Sequence, residues 1–139
     1  MVRKVLPDIV FGQNVFELSA NATVQEAVRG MAEQNVHSVL VTDNGRLTGI
    51  FTSTDLVMKV VGVGLKPSMT ALRDVMTTDP ETVSPGFNAI EALHRMHDGR
   101  FRHLPVVENG KIVGILSRRD FLEYEVEELE HQNLLWEKI

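Results

Sequence analysis

The sequence predicts an α+β fold. Two β-α-β-β-α repeats pack about an approximate two-fold axis, and an acidic helix follows at the C-terminal end. Three observations lead there. Laid over itself at an offset of 65 residues, the chain repeats without a gap: Ala27 falls on Ala92, Met31 on Met96, Gly45 on Gly110, Gly49 on Gly114 and Asp55 on Asp120. Each copy holds one amphipathic helical stripe followed by two short apolar runs joined through Asn-Gly. Only two copies fit in 139 residues, so this is no solenoid, and each copy must cover its open apolar face with the other.

The elements follow in order. Short extended segments near Val15–Leu18 and Thr82–Val83 precede the units. Thr23-Val-Gln-Glu26 is a capping box, and Asn88-Ala-Ile-Glu91 puts another good N-cap residue at the equivalent place. Behind these caps, Val24, Ala27, Val28 and Met31 form a helical stripe that Ala89, Ala92, Leu93 and Met96 repeat. The runs Ser38–Thr42 and Leu47–Phe51, then Leu104–Val107 and Lys111–Leu116, read as strands covered on both faces. Their Asn44-Gly45 and Asn109-Gly110 links favour tight hairpin turns. A second helix is expected after Thr52 and after Ser117. Gly62-Val-Gly64 breaks the chain between copies, and Ser68–Met76 reads as a short capped helix. The expected organisation is a first repeat over 1–64, a lead-in over 65–77, a second repeat over 78–124 and a helix over 125–139. In that tail Leu122, Val126, Leu129, Asn133 and Trp136 are spaced as a seam beside Glu123, Glu125, Glu127, Glu128 and Glu130, suited to packing on the body or on a symmetry mate.

Composition narrows the function. The net charge of −5, with no basic run, argues against a nucleic-acid binder. With no cysteine, neither a disulfide nor a thiolate metal site can form. No apolar stretch approaches a signal core or a membrane span, so a cytoplasmic protein is expected. His94 and His97 lie at i, i+3, but no carboxylate completes a metal set, and a solvated helix face is the better reading. No nucleophile elbow, paired-carboxylate cleft or phosphate loop is identifiable, so no enzymatic role and no required cofactor are expected.

One phrase carries chemistry twice. Gly49-Ile-Phe-Thr52-Ser-Thr-Asp55 recurs as Gly114-Ile-Leu-Ser117-Arg-Arg-Asp120. Each is a strand end, a hydroxyl residue and an acid three positions on. Ser/Thr-x-x-Asp is a capping pattern in its own right and needs no ligand. The same atoms also suit a nucleotide: a carboxylate accepts from a vicinal diol, and a helix start favours phosphate.

With these motifs the chain resembles a tandem pair of CBS domains, the module named for cystathionine beta-synthase. The same module is found in IMP dehydrogenase, chloride channels and the gamma subunit of AMP-activated protein kinase. Thr23–Met31, Ser38–Val41, Gly45–Asp55, Val75–Thr77, Arg102–Val106 and Gly110–Asp120 carry the likeness, which spans roughly Val15 to Leu122. The resemblance implies a regulatory, non-catalytic module that binds AMP, ADP, ATP or S-adenosylmethionine in clefts between repeats. It also implies a homodimer and an effector protein or fused domain as partner. By position, Asp55 and Asp120 would hold ribose hydroxyls, with Thr52 and Ser117 beside them. Ser38, Val39, Met76, Thr77, Leu104 and Pro105 would border the adenine.

The copies differ in charge. Arg102, His103, Arg118 and Arg119 stand where the first repeat has His37, Ser38, Ser53 and Thr54. These four are the expected phosphate ligands, so the two sites are expected to bind unequally. The rival reading is a ligand-free dimerisation scaffold in which the acids only cap helices.

Overall fold

Asn-Gly at both hairpins sets the frame for each repeat. Asn44 and Gly45 have φ of 51° and 78°, and Asn109 and Gly110 have 52° and 78°. Two successive positive φ values make the tight turn whose twist matches that of the flanking strands. In this computed structural model, which describes residues 2–9 and 15–137, the chain divides into two compact units. Residues 14–80 with 109–112 make the first-repeat unit, and 1–13, 81–108 and 113–139 make the second-repeat unit.

The first-repeat unit runs β1 (Glu17–Ser19), α1 (Val24–Gln34), β2 (Ser38–Asp43), β3 (Arg46–Thr52), α2 (Ser53–Asp55), α3 (Leu72–Val75) and β4 (Thr77–Thr78). β1 pairs in parallel with β2, and β2–β3–β4 continue antiparallel. Thr23 caps α1 with the reciprocal box its sequence predicts, and Asn35 ends the helix in the left-handed conformation. Val24 and Ala27 are fully buried, and Met31 nearly so, against Val39, Val41 and Phe51 of the sheet. α2 continues through π turns over Leu56–Val60 and a 3-10 turn over Val61–Val63. Along this stretch and the loop after it Val57, Met58, Val61, Val63, Leu65 and Met69 stay exposed.

The 65–77 stretch, read as a lead-in, is built into this unit. Leu72 N–H donates to Ala22 O and Val24 N–H to Thr70 O, both at 2.9 Å, while Leu72 and Val75 enter the core. The expected helix over Ser68–Met76 is confined to Leu72–Val75, because Pro67 starts a separate 3-10 turn and Thr70 is extended. No side chain caps it: the N-cap is Ala71.

The second-repeat unit contains α4 (Ala89–Gly99), β5 (His103–Glu108), β6 (Lys111–Ser117) from Val113 on, and α5 (Glu123–Glu137). β5 and β6 form a two-stranded sheet. Val83 adds a parallel bridge to Val106, the offset-mate of the Leu18–Val41 pair in β1 and β2. Asn88 caps α4 by accepting from Ile90 N–H at 2.8 Å. The helix that the repeat predicts directly after Ser117 is broken: Arg118–Asp120 make one 3-10 turn, Phe121 turns extended, and α5 begins at Glu123. The break lets Phe121 reach the core, where Leu93, Met96, Leu104, Leu116 and Leu129 are buried. Val126 and Leu129 of the predicted seam pack on this core, so α5 closes its own unit. The side chains of Asn133 and Trp136 lie outside the described residues.

Residues 2–9, expected with the first repeat, pack on the second. Val5 N–H donates to Phe87 O at 2.9 Å and Ala89 N–H to Arg3 O at 3.0 Å, and Val5 is fully buried in that core. Arg3 ties this segment to α5. Its guanidinium donates to both carboxylate oxygens of Glu125, at 2.6 and 3.3 Å, and to Asp120 O at 3.1 Å. Glu125 is fully buried, not a member of a solvated acidic face, and its Oε1 also accepts Leu122 N–H at 2.8 Å. The hydrogen bond to this carboxylate raises the Arg3 pKa above its ordinary value.

Candidate functional site

At the end of β3 the chain must leave an extended strand and start a helix, which strips Thr52 and the residues after it of ladder partners. Thr52 stays extended (φ −122°, ψ 168°) and faces Ser38 across β2–β3. Asp55 answers the open donors. Its Oδ2 accepts from Thr52 N–H at 3.0 Å and from Thr52 Oγ1 at 3.2 Å, and its own N–H donates to Thr52 Oγ1 at 3.3 Å. Lys59, one turn on, takes the other oxygen: Nζ lies 3.1 Å from Asp55 Oδ1 and 3.4 Å from Thr77 Oγ1. Asp55 is 8% exposed. In the first repeat, therefore, both carboxylate oxygens are engaged.

The second repeat builds the same turn with a different balance. Ser117 is extended (φ −114°, ψ 150°), and Asp120 Oδ2 accepts its N–H at 2.7 Å. Arg118 N–H donates to Arg102 O at 2.8 Å, the offset-mate of the Ser53 N–H bond to His37 O. The position matching Lys59 is Tyr124, and among the described residues no cation pairs with Asp120. Asp120 Oδ1 is thus open to a donor where Asp55 Oδ1 is taken.

Beside this turn lies an open pocket of about 500 Å³, lined by Met96, His97, Arg100, Phe101, Arg102 and Arg118. Of the four predicted phosphate ligands, the structure brings Arg102 and Arg118 together here. His103 and Arg119 are not among its lining residues. Arg100, Phe101 and Lys59 are the residues that the sequence reading missed. The i, i+4 spacing from Asp55 signals Lys59. Arg100 has a quieter signal, standing at the offset-mate of Asn35.

The residues expected around adenine divide between the units. Ser38, Val39, Met76 and Thr77 belong to the first, Leu104 and Pro105 to the second. Val39 and Leu104 are fully buried in their cores, Ser38 is nearly so, and Thr77 is exposed at the sheet edge. Pro105 O already accepts from Val83 N–H at 3.0 Å. Among the described residues no group of three or more histidines and acids is placed to hold a metal, and no helix is long and apolar enough to cross a membrane.

Comparison with known proteins bears on this repeated hydroxyl–acid turn. The family model for the CBS domain matches residues 8–62 and again 72–127. The chain belongs to the CBS-domain family. Such a tandem CBS pair is a regulatory module. The CBS domain-containing protein CBSCBSPB2 of Arabidopsis thaliana is 44% identical over 101 residues, which is 72% of this chain and 19% of that protein. This CBS pair therefore spans about a fifth of that relative. Among solved structures, a hexameric CBS-CP12 protein from bloom-forming cyanobacteria superposes with a TM-score of 0.79 at 28% identity, over 86% of this chain and 66% of that one. The CBS domain protein PAE2072 from Pyrobaculum aerophilum, solved in complex with AMP, gives a TM-score of 0.76 at 24% identity, over 88% and 95% of the two chains. At that identity the likeness is one of fold.

Proposed function

We propose that this CBS pair is a non-catalytic sensor of adenosine-containing ligands (AMP, ADP, ATP or S-adenosylmethionine), held at the two Ser/Thr-x-x-Asp turns. The observation that carries the reading is the second-repeat turn: an acid with an uncommitted oxygen beside a pocket lined by three arginines. A helix cap alone explains the acid but not the arginines. Asp120 would accept the ribose diol, Ser117 would lie beside it, and Arg102 and Arg118 would meet phosphate oxygens. The AMP found with the Pyrobaculum protein lends support. Val39 and Leu104 are each buried in the core of their own repeat, so neither side chain is open to a base. Binding would reach an effector by shifting a conformational equilibrium, by no more than the ligand's differential affinity for the two states. A cytoplasmic setting belongs to this reading.

Calorimetry of the four ligands against wild type, Asp55→Ala and Asp120→Ala tests it. Losing a charge-assisted ribose contact is expected to weaken binding at the second-repeat turn by roughly 10-fold or more in Asp120→Ala. Asp55→Ala is expected to weaken binding less, because Lys59 already occupies that carboxylate. If none of the four binds wild type, the nucleotide reading fails.

The rival reading, a dimerisation scaffold without ligand, has one feature in its favour. The exposed apolar side chains between Val57 and Met69 are of the kind that self-association covers. We expect a homodimer in either case. Met58→Glu with Val61→Glu is expected to shift sedimentation from dimer to monomer. Unchanged sedimentation would place the contact elsewhere.

A further inference from the structure

We infer that the Arg100–Arg102–Arg118 pocket is a polyphosphate subsite, so that the second repeat selects a nucleoside di- or triphosphate over the monophosphate and over S-adenosylmethionine. This rests on the nucleotide reading above and narrows it.

Three arginines line the pocket from three places: the end of α4, the residue before β5, and the residue after β6. A backbone hydrogen bond from Arg118 N–H to Arg102 O holds two of these residues next to each other. Among the described residues none of the three has an ion pair, and no acid lines the pocket. The chain does not lack acids, with 19 Asp and Glu against 14 Lys and Arg. Three cationic side chains at one open pocket with no acid among its lining residues make it a place that attracts anions.

Arg100 supplies a second, independent sign. It ends α4 in the left-handed region (φ 57°, ψ 38°), as Asn35 ends α1 (φ 54°, ψ 47°). Asparagine is at ease there, and a long side chain is not. Strain kept where an easier residue serves the same turn points to function. All three arginines are departures from the first repeat, which has Asn35, His37 and Ser53 in their places.

Phe101 and Met96 give the pocket an apolar side. Met96 is 1% exposed, and a Cβ at residue 99 would collide with the Phe101 ring, so Gly99 is what lets that ring come close to the helix end. Each guanidinium is a planar fork that can grip two oxygens, and three forks brought from separate places suit a ligand that carries more than one phosphoryl group. A linear chain of two or three phosphates fills them. A sulfonium ligand brings positive charge to a positive pocket and is disfavoured.

The test titrates ATP, ADP, AMP, S-adenosylmethionine and inorganic tripolyphosphate into wild type, Arg100→Asn, Arg102→Ala and Arg118→Ala. ATP is expected to bind wild type at least about 10-fold more tightly than AMP, and tripolyphosphate to compete with it. Arg100→Asn is expected to lose roughly 10-fold for ATP, to change AMP by less than about 2-fold, and to melt no lower than wild type. That melting behaviour separates loss of a ligand from loss of the fold. AMP binding as tightly as ATP, or ATP affinity untouched by Arg100→Asn, overturns the inference while the nucleotide reading stands. Tripolyphosphate binding that Arg100→Asn abolishes, with no adenosine ligand bound, supports the subsite and overturns the nucleotide.

Discussion

Arg3→Ala is expected to lower the unfolding free energy by about 3 kcal/mol, the usual scale for leaving a buried carboxylate without its cation. Glu125 has a side chain only 1% exposed, and Arg3 meets both of its oxygens. With alanine at position 3, only Leu122 N–H remains to that carboxylate, and Asp120 O loses a donor. Arg3→Lys should recover only part of the loss, because an ammonium has no planar fork to span both oxygens and the Asp120 carbonyl. Adding Glu125→Gln to Arg3→Ala should also recover part, since a neutral amide costs less to bury than an unpaired charge. Urea unfolding of the four proteins gives the answer. A loss below about 1 kcal/mol for Arg3→Ala would mean that water reaches Glu125 when the arginine is gone.

Phe51→Ala is expected to cost about 3–5 kcal/mol, the range for emptying an aromatic site in a packed core. Phe51 is fully buried and faces Val39 across the β2–β3 ladder. Phe51→Leu should cost far less, roughly 1 kcal/mol, because leucine keeps most of the volume. The second repeat already uses Leu116, also fully buried, at the matching place. Equal losses for the two variants, read by chemical denaturation, would show that the ring's shape rather than its volume is what the core requires.

What could be read from residue order was whatever local physics writes locally. Helix caps at Thr23 and Asn88, the buried stripes behind them and the two Asn-Gly turns each depend on neighbours within a few positions, and each is found as expected. The Ser/Thr-x-x-Asp boxes were legible for the same reason. The break at Phe121 was not, because the repeat predicts a helix there and only the core's demand for an aromatic overrides it. The burial of Glu125 was invisible among six tail glutamates, since its partner lies 122 residues away. β4 was missed because Thr77–Thr78 is too short and too polar to look like a strand, and its pairing with β3 is the only thing that makes it one. In the site, the departures from the repeat told more than the matches. Arg102 and Arg118 were picked out that way, and Arg100 would have been had its turn conformation been considered.

The placement of residues 2–9 on the second repeat sets an order in time. Residues 14–80 of the first-repeat unit form one uninterrupted run. The second-repeat unit needs Arg3 and Glu125 together, 122 residues apart. At ribosomal speeds of about 5–20 residues per second, Arg3 waits on the order of ten seconds for its carboxylate. During that interval Val5 has no core to enter, and closing so long a loop slows the final step. A nascent chain is thus expected to hold one finished repeat and one open one. The turn bearing Asp120, whose carbonyl Arg3 clasps, is then among the last parts of this CBS pair to be completed.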